Sequence, residues 1–86
     1  MGLVFEELNE PVEVLAHFDG KKARPLRFRW RGRVYRVVRL NGSWSESKGA
    51  DREHHFAVTA DNSDSFELAF DARDFRWRLI RVVLGE

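Results

Sequence analysis

Apolar side chains recur at every second position over most of this chain, and that period constrains the fold more than any other feature. In Leu26-Arg27-Phe28-Arg29-Trp30 and Phe66-Glu67-Leu68-Ala69-Phe70, large hydrophobic residues alternate with charged or small ones, as in a strand with one buried face. No window of eleven or more residues fits the i, i+3, i+4 spacing of an amphipathic helix. The alternation predicts strands at 11–18, 24–31, 33–40, 54–60, 65–71 and 75–84, divided by Asp-Gly, Arg-Gly, Asn-Gly, Asp-Asn-Ser-Asp and Asp-Ala-Arg-Asp turn signals. The expected fold is all-β, a small antiparallel β-barrel or a strongly bent sheet of about six strands.

The 86 residues are read as one domain, 1–86, with its core in about 10–84 and residues 1–9 either flexible or a short extra strand or turn. Seven Phe, three Trp and one Tyr supply much of the burial that so short a chain needs. There is no cysteine, which excludes a disulfide framework and any thiolate metal site. No segment approaches the ~20 apolar residues that cross a bilayer. The acidic start Met-Gly-Leu-Val-Phe-Glu-Glu is unlike a signal peptide, so a cytoplasmic protein without membrane association is expected.

Opposed residues on paired strands share a face, so polarity suggests register. For the last hairpin a four-residue loop closed by Phe70 and Phe75 pairs Leu68 with Trp77, Phe66 with Leu79 and Glu67 with Arg78. The preceding strand then sets Val58 beside Leu68, Phe56 beside Phe70, Thr59 beside Glu67 and His55 beside Asp71. A two-residue turn at Arg31-Gly32 pairs Phe28 with Tyr35 and Leu26 with Val37, leaves Trp30 on the apolar face beside Arg33, and sets Arg27 opposite Arg36 on the other side.

Charge is sorted along the chain. Residues 1–20 carry five acids and no base, 21–40 nine bases and no acid, and 41–75 eight acids against three bases. Either a basic face awaits a polyanion, or acidic strands lie beside basic ones and neutralise them. Facing arginines repel unless an anion sits between them, and a phosphate or Glu13, Glu46 or Glu67 would serve. Arg27, Arg29 and Arg36, with Arg76 and Arg78 where the outer faces adjoin, are the candidate polyanion-binding residues. Because the aromatics point inward, a phosphate-gripping face is favoured over a base-stacking platform.

Residues 41–53 read as a long loop in which Trp44 either folds back as a lid or stands exposed as a candidate partner-binding residue. Nothing points to catalysis. His54 and His55 are adjacent on a strand and face opposite ways, so they cannot both ligate one metal; His17 stands alone, and no serine lies in a Gly-x-Ser-x-Gly elbow. No catalytic, cofactor-binding or metal-ligating residue is expected.

Glu10-Pro-Val-Glu-Val14, the run from Arg24-Pro25 through Trp30-Arg-Gly-Arg33 to Val37, Trp44, and the closing Phe75-Arg-Trp-Arg-Leu-Ile-Arg-Val82 resemble a small uncharacterised bacterial family with an Arg-Pro-x-x-Phe-x-Trp-Arg-Gly-Arg signature. Its members often carry paired tryptophans in the middle loop, where this chain has Ser45-Glu46-Ser47-Lys48-Gly49. The same order of elements is more weakly similar to the C-terminal tail of Y-family polymerase-like mutagenesis proteins. The first resemblance implies a compact all-β domain, and the second a DNA-repair setting with DNA or a polymerase as partner. The expected function is a binding or adaptor module, not an enzyme, whose arginine face takes nucleic acid or an acidic protein surface. The alternative is a protein–protein module, homodimeric in one form, using the Trp44 loop and strand edges with the arginines purely structural.

Overall fold

The computed structural model describes residues 4–20 and 22–84. Seven strands, β1 (Val4–Pro11), β2 (Glu13–Asp19), β3 (Lys22–Trp30), β4 (Arg33–Lys48), β5 (Asp51–Ala60), β6 (Ser65–Asp71) and β7 (Arg76–Leu84), form one antiparallel sheet in the order β1-β7-β6-β5-β4-β3-β2. No described residue is helical. β1 matches one of the options for residues 1–9, a short extra strand, and supplies the seventh strand; residues 1–3 lie outside the described residues.

The two edge strands are consecutive in the chain. β1 pairs with β7 and β2 with β3, and the chain passes between the edges at Val12, whose N–H donates to the Trp77 carbonyl at 3.2 Å. No ladder joins β1 to β2, so the sheet is curled but open and is not a closed barrel. The curl is measurable. Phe28 on β3 and Phe66 on β6 have ring centroids 5.0 Å apart, although a flat sheet would separate those strands by about 14 Å.

Bulges produce the bend. β4 pairs with β3 over Arg33–Arg36 and with β5 over Val37–Lys48, and its register against β5 shifts between Val37 and Arg39 and again between Leu40 and Gly42. Similar shifts occur in the β1–β7, β2–β3 and β6–β7 ladders. Each inserts a residue that increases local twist and turns the strand.

The concave face holds the core: Phe28, Tyr35, Phe56, Val58, Ala60, Phe66, Leu68, Phe70, Leu79 and Val82. Phe28, Tyr35 and Phe66 pack mutually at 5.0–5.2 Å, and Trp77 joins Phe56 at 5.5 Å and Phe70 at 5.0 Å. The Arg31-Gly32 hairpin has the expected register, with Phe28 opposite Tyr35 and Arg27 opposite Arg36. Both turn residues have positive φ, 52° and 76°, as a two-residue hairpin turn that matches strand twist requires.

Four expectations are corrected. Leu26 does not face Val37 in the core; it falls at the β2–β3 bulge and is exposed, while Pro25 is buried. Residues 41–53 are not a loop but the two arms of the β4–β5 hairpin, turning at Gly49-Ala50. β5 and β6 pair two residues away from the expected register, with Val58 opposite Phe66 and Phe56 opposite Leu68. In the last hairpin Phe70 meets Trp77 and Leu68 meets Leu79, a bulge between Glu67 and Leu68 then pairs Glu67 with Arg81 rather than Arg78, and Phe75 sits exposed in the turn. A slip of two residues keeps each side chain on its face, which is why polarity alone does not detect it.

Glu10 clasps the β1 edge onto the β3–β4 turn. Its carboxylate accepts from Trp30 Nε1 at 2.9 Å and from Arg31 Nη2 at 2.9 Å, while the Arg31 guanidinium lies 4.6 Å above the Trp30 ring. These two hydrogen bonds, the indole first, hold the Glu10 carboxyl below its usual range. A carboxylate with a lowered folded-state pKa stabilises the fold above its unfolded value, and the contribution disappears as pH falls through the lowered one. Glu10→Gln should therefore lower the urea midpoint at pH 7 and leave it close to wild type at pH 3. An equal deficit at both pH values would show that the charge of Glu10 is not what holds the clasp.

Candidate functional site

The convex face carries two charged regions of different character. On β2–β3–β4 the outward rows are Leu15, Arg27 and Arg36, and Glu13, Arg29 and Val34. Alternation places Arg27 and Arg29 on one side of β3, about 7 Å apart. Arg29 Nε lies 3.6 Å from Glu13 Oε1, with both side chains largely exposed. Among the described residues no acid stands at ion-pair distance from Arg27 or Arg36. The Asp61 carboxylate, on the turn beside β4, accepts from the backbone N–H of Arg36 at 3.4 Å. Leu15 and Val34 are half exposed beside these arginines. Arg33 is opposite Trp30, as expected, and its guanidinium lies over the Tyr35 ring at 5.5 Å.

The second region lies on β4–β5–β6–β7. Glu53 and His55 share one side of β5 because they are two residues apart, and the pairing of β4 sets Glu46 opposite Glu53 and Trp44 opposite His55. The His55 ring is buried against Trp44, stacked at 5.4 Å and 11°. Its Nδ1 stands 2.7 Å from Glu67 Oε2, and its Nε2 stands 3.1 Å from Glu53 Oε1 and 3.7 Å from Glu46 Oε1. Two arginines of β7 close the network. Arg78 donates to Glu53 and to Asn9; Arg81 donates to Glu67 and, at 2.9 Å, to Glu7. The Glu7 hydrogen bond and then the charges of Glu67 and Glu46 raise the Arg81 pKa, so it is cationic at any working pH.

The candidate residues thus divide. Arg27, Arg29 and Arg36 form one surface, as expected. Arg78 belongs to the buried network on β7, and Arg76 is exposed there, opposite Asp71. Trp44 is not a lid: it is exposed on β4, as the second alternative has it, with its ring stacked on His55 and its Nε1 donating to Glu46 Oε2 at 3.4 Å. Glu46 and Glu67, the possible neutralisers of the basic hairpin, are engaged in the other region. The His55 network is missed in the sequence because residues 41–53 read there as a loop. A signal is present: Ser43-Trp44-Ser45-Glu46-Ser47 alternates small with large at period two, as a strand does.

His54 points the other way from His55. Its Nδ1 is 3.2 Å from Ser45 Oγ on the wall of a groove of about 700 Å³ that Phe18, Leu40, Phe56 and Phe70 also line. Among the described residues no acid orients His54, so this serine–histidine contact lacks the third group of a nucleophilic triad.

The model of the family described as a domain of unknown function (DUF6504) matches residues 5–83, nearly the whole chain. The chain belongs to the DUF6504 family. No curated protein and no solved structure matches it. In this DUF6504 domain no described helix is long and apolar enough to cross a membrane.

The two charged regions differ in what they contribute to stability. Glu67→Ala leaves the buried His55 Nδ1 without its acceptor and should cost about 1–3 kcal/mol. Glu13→Ala removes only an exposed partner and should change stability by less than about 1 kcal/mol. Urea denaturation of the two variants checks this, and equal effects would contradict it.

Proposed function

We propose that this domain is a non-catalytic binding module that grips a phosphate-bearing polymer, a nucleic acid, on the convex face of β2–β3–β4. One observation carries the reading: Arg27 and Arg36 face each other across the β3–β4 ladder with no acid at ion-pair distance among the described residues. A like-charged cross-strand pair is unfavourable when left alone, and phosphate oxygens relieve it. Arg29 adds a third guanidinium, because an exposed pair such as that with Glu13 is worth only about 0–1 kcal/mol and yields to a stronger anion.

The rings of this hairpin point into the core, which favours contact with the backbone over stacking on bases. The sequence likeness of the Trp-Arg-Gly-Arg hairpin and the closing Arg-Trp strand to the tail of polymerase-like mutagenesis proteins agrees with a DNA-associated setting. A second reading, docking on an acidic protein surface, draws on Leu15 and Val34, whose exposed aliphatic carbons contribute nothing to a phosphate contact.

Fluorescence anisotropy with labelled single-stranded and duplex oligonucleotides at two salt concentrations tests the proposal. Affinity should fall with salt, and the paired substitution Arg27→Ala/Arg36→Ala should reduce the log–log slope by about 0.7–0.9 for each phosphate that the variant no longer neutralises. Absence of binding at low salt, or a slope unchanged in the paired variant, would reject nucleic acid as the partner.

A further inference from the structure

We propose that Glu46, Glu53 and His55 form a divalent-cation site of the zinc class on the convex face of the β4–β5 hairpin. One ligand atom from each lies within 4.8 Å of the other two. His55 Nε2 is 3.1 Å from Glu53 Oε1 and 3.7 Å from Glu46 Oε1. Zinc bonds to imidazole nitrogen and carboxylate oxygen are about 2.0–2.2 Å long, which sets neighbouring ligands of a tetrahedral ion about 3.3 Å apart. The two observed distances straddle that value. Glu53 and His55 are fixed by burial, whereas Glu46, more than half exposed and held only by the Trp44 indole among the described residues, is the ligand that must swing inward to close the site.

The histidine itself points to an ion. It is only 5% exposed, and each ring nitrogen faces a carboxylate. When Nδ1–H donates to Glu67, the neutral ring presents a lone pair at Nε2 to two carboxylates, which have no proton to give. A second ring proton or a cation between Nε2 and the two glutamates repairs this. A divalent ion bound there would also set a positive charge directly between the Glu46 and Glu53 carboxylates.

The outer shell is also in place. Glu67 accepts from Nδ1 and is held by Arg81, and Trp44 stacks on the ring; such partners orient a ligating histidine and strengthen its hold on a metal. With one nitrogen, two oxygens and no thiolate, the donor set suits zinc and the transition ions beside it better than magnesium. Three protein ligands leave a position for water.

The test is calorimetric titration of the full chain, stripped with chelator, by Zn²⁺ at neutral pH. His17→Gln and His54→Gln serve as controls for other histidines, and Co²⁺ serves as a visible-absorption probe of coordination. Saturation at one Zn²⁺ per chain is expected, unchanged in both controls. Glu46→Gln, which alters an exposed side chain and spares the buried network, should weaken binding by at least about tenfold. Absence of saturable uptake, or uptake unaffected by Glu46→Gln, or uptake abolished by His17→Gln or His54→Gln, would overturn the assignment.

Discussion

Phe28 and Phe66 meet with 5.0 Å between ring centroids although three ladder steps separate their strands. That contact requires the sheet to curl, and the curl requires bends such as those in β4, a sixteen-residue strand whose register against β5 shifts twice. A flat sheet of this composition would leave the aromatic face open to water. Curled, it folds that face onto itself, and a chain this short gains a core without a second layer. Passage of the chain from one edge to the other at Val12 covers part of the seam without sealing it.

Because the concave side takes the large apolar residues, the convex side must manage its charges without a covering layer, and its two halves do so differently. On β4–β7, buried carboxylates are each met by an arginine or by His55, and every described buried side-chain polar atom has a partner. Burying such groups is tolerable only under that condition. On β2–β4 the arginines stay in solvent, where a charge needs no partner in the fold. One half is a fixed network of carboxylates, arginines and a histidine; the other is an accessible cationic surface.

The alternation of apolar residues is enough to read the all-β class, most strand positions, the Arg31-Gly32 hairpin and the outward direction of Arg27, Arg29 and Arg36, because each depends on local period and turn chemistry. Bulges are not legible. Leu26 fits the alternating pattern, and only the inserted residue in the β2–β3 ladder moves it outward and draws Pro25 in. The β5–β6 slip is invisible because a two-residue shift preserves polarity. The His55 network is hidden for a related reason: Glu46, Glu53 and Glu67 lie apart in sequence, and a strand rich in serine and glycine reads as a loop until its partner strand is known.

The convex face is therefore divided, with a cationic surface on β2–β4 and a carboxylate–histidine–arginine network on β4–β7. Amide chemical-shift mapping of the ¹⁵N-labelled domain during titration with a short phosphate polyanion at low salt tests this division most directly. Perturbations should concentrate at residues 13–15, 27–29 and 34–36, with residues 67–71 and 78–82 unmoved. Perturbations centred on β6 and β7, or spread evenly over both halves, would contradict it.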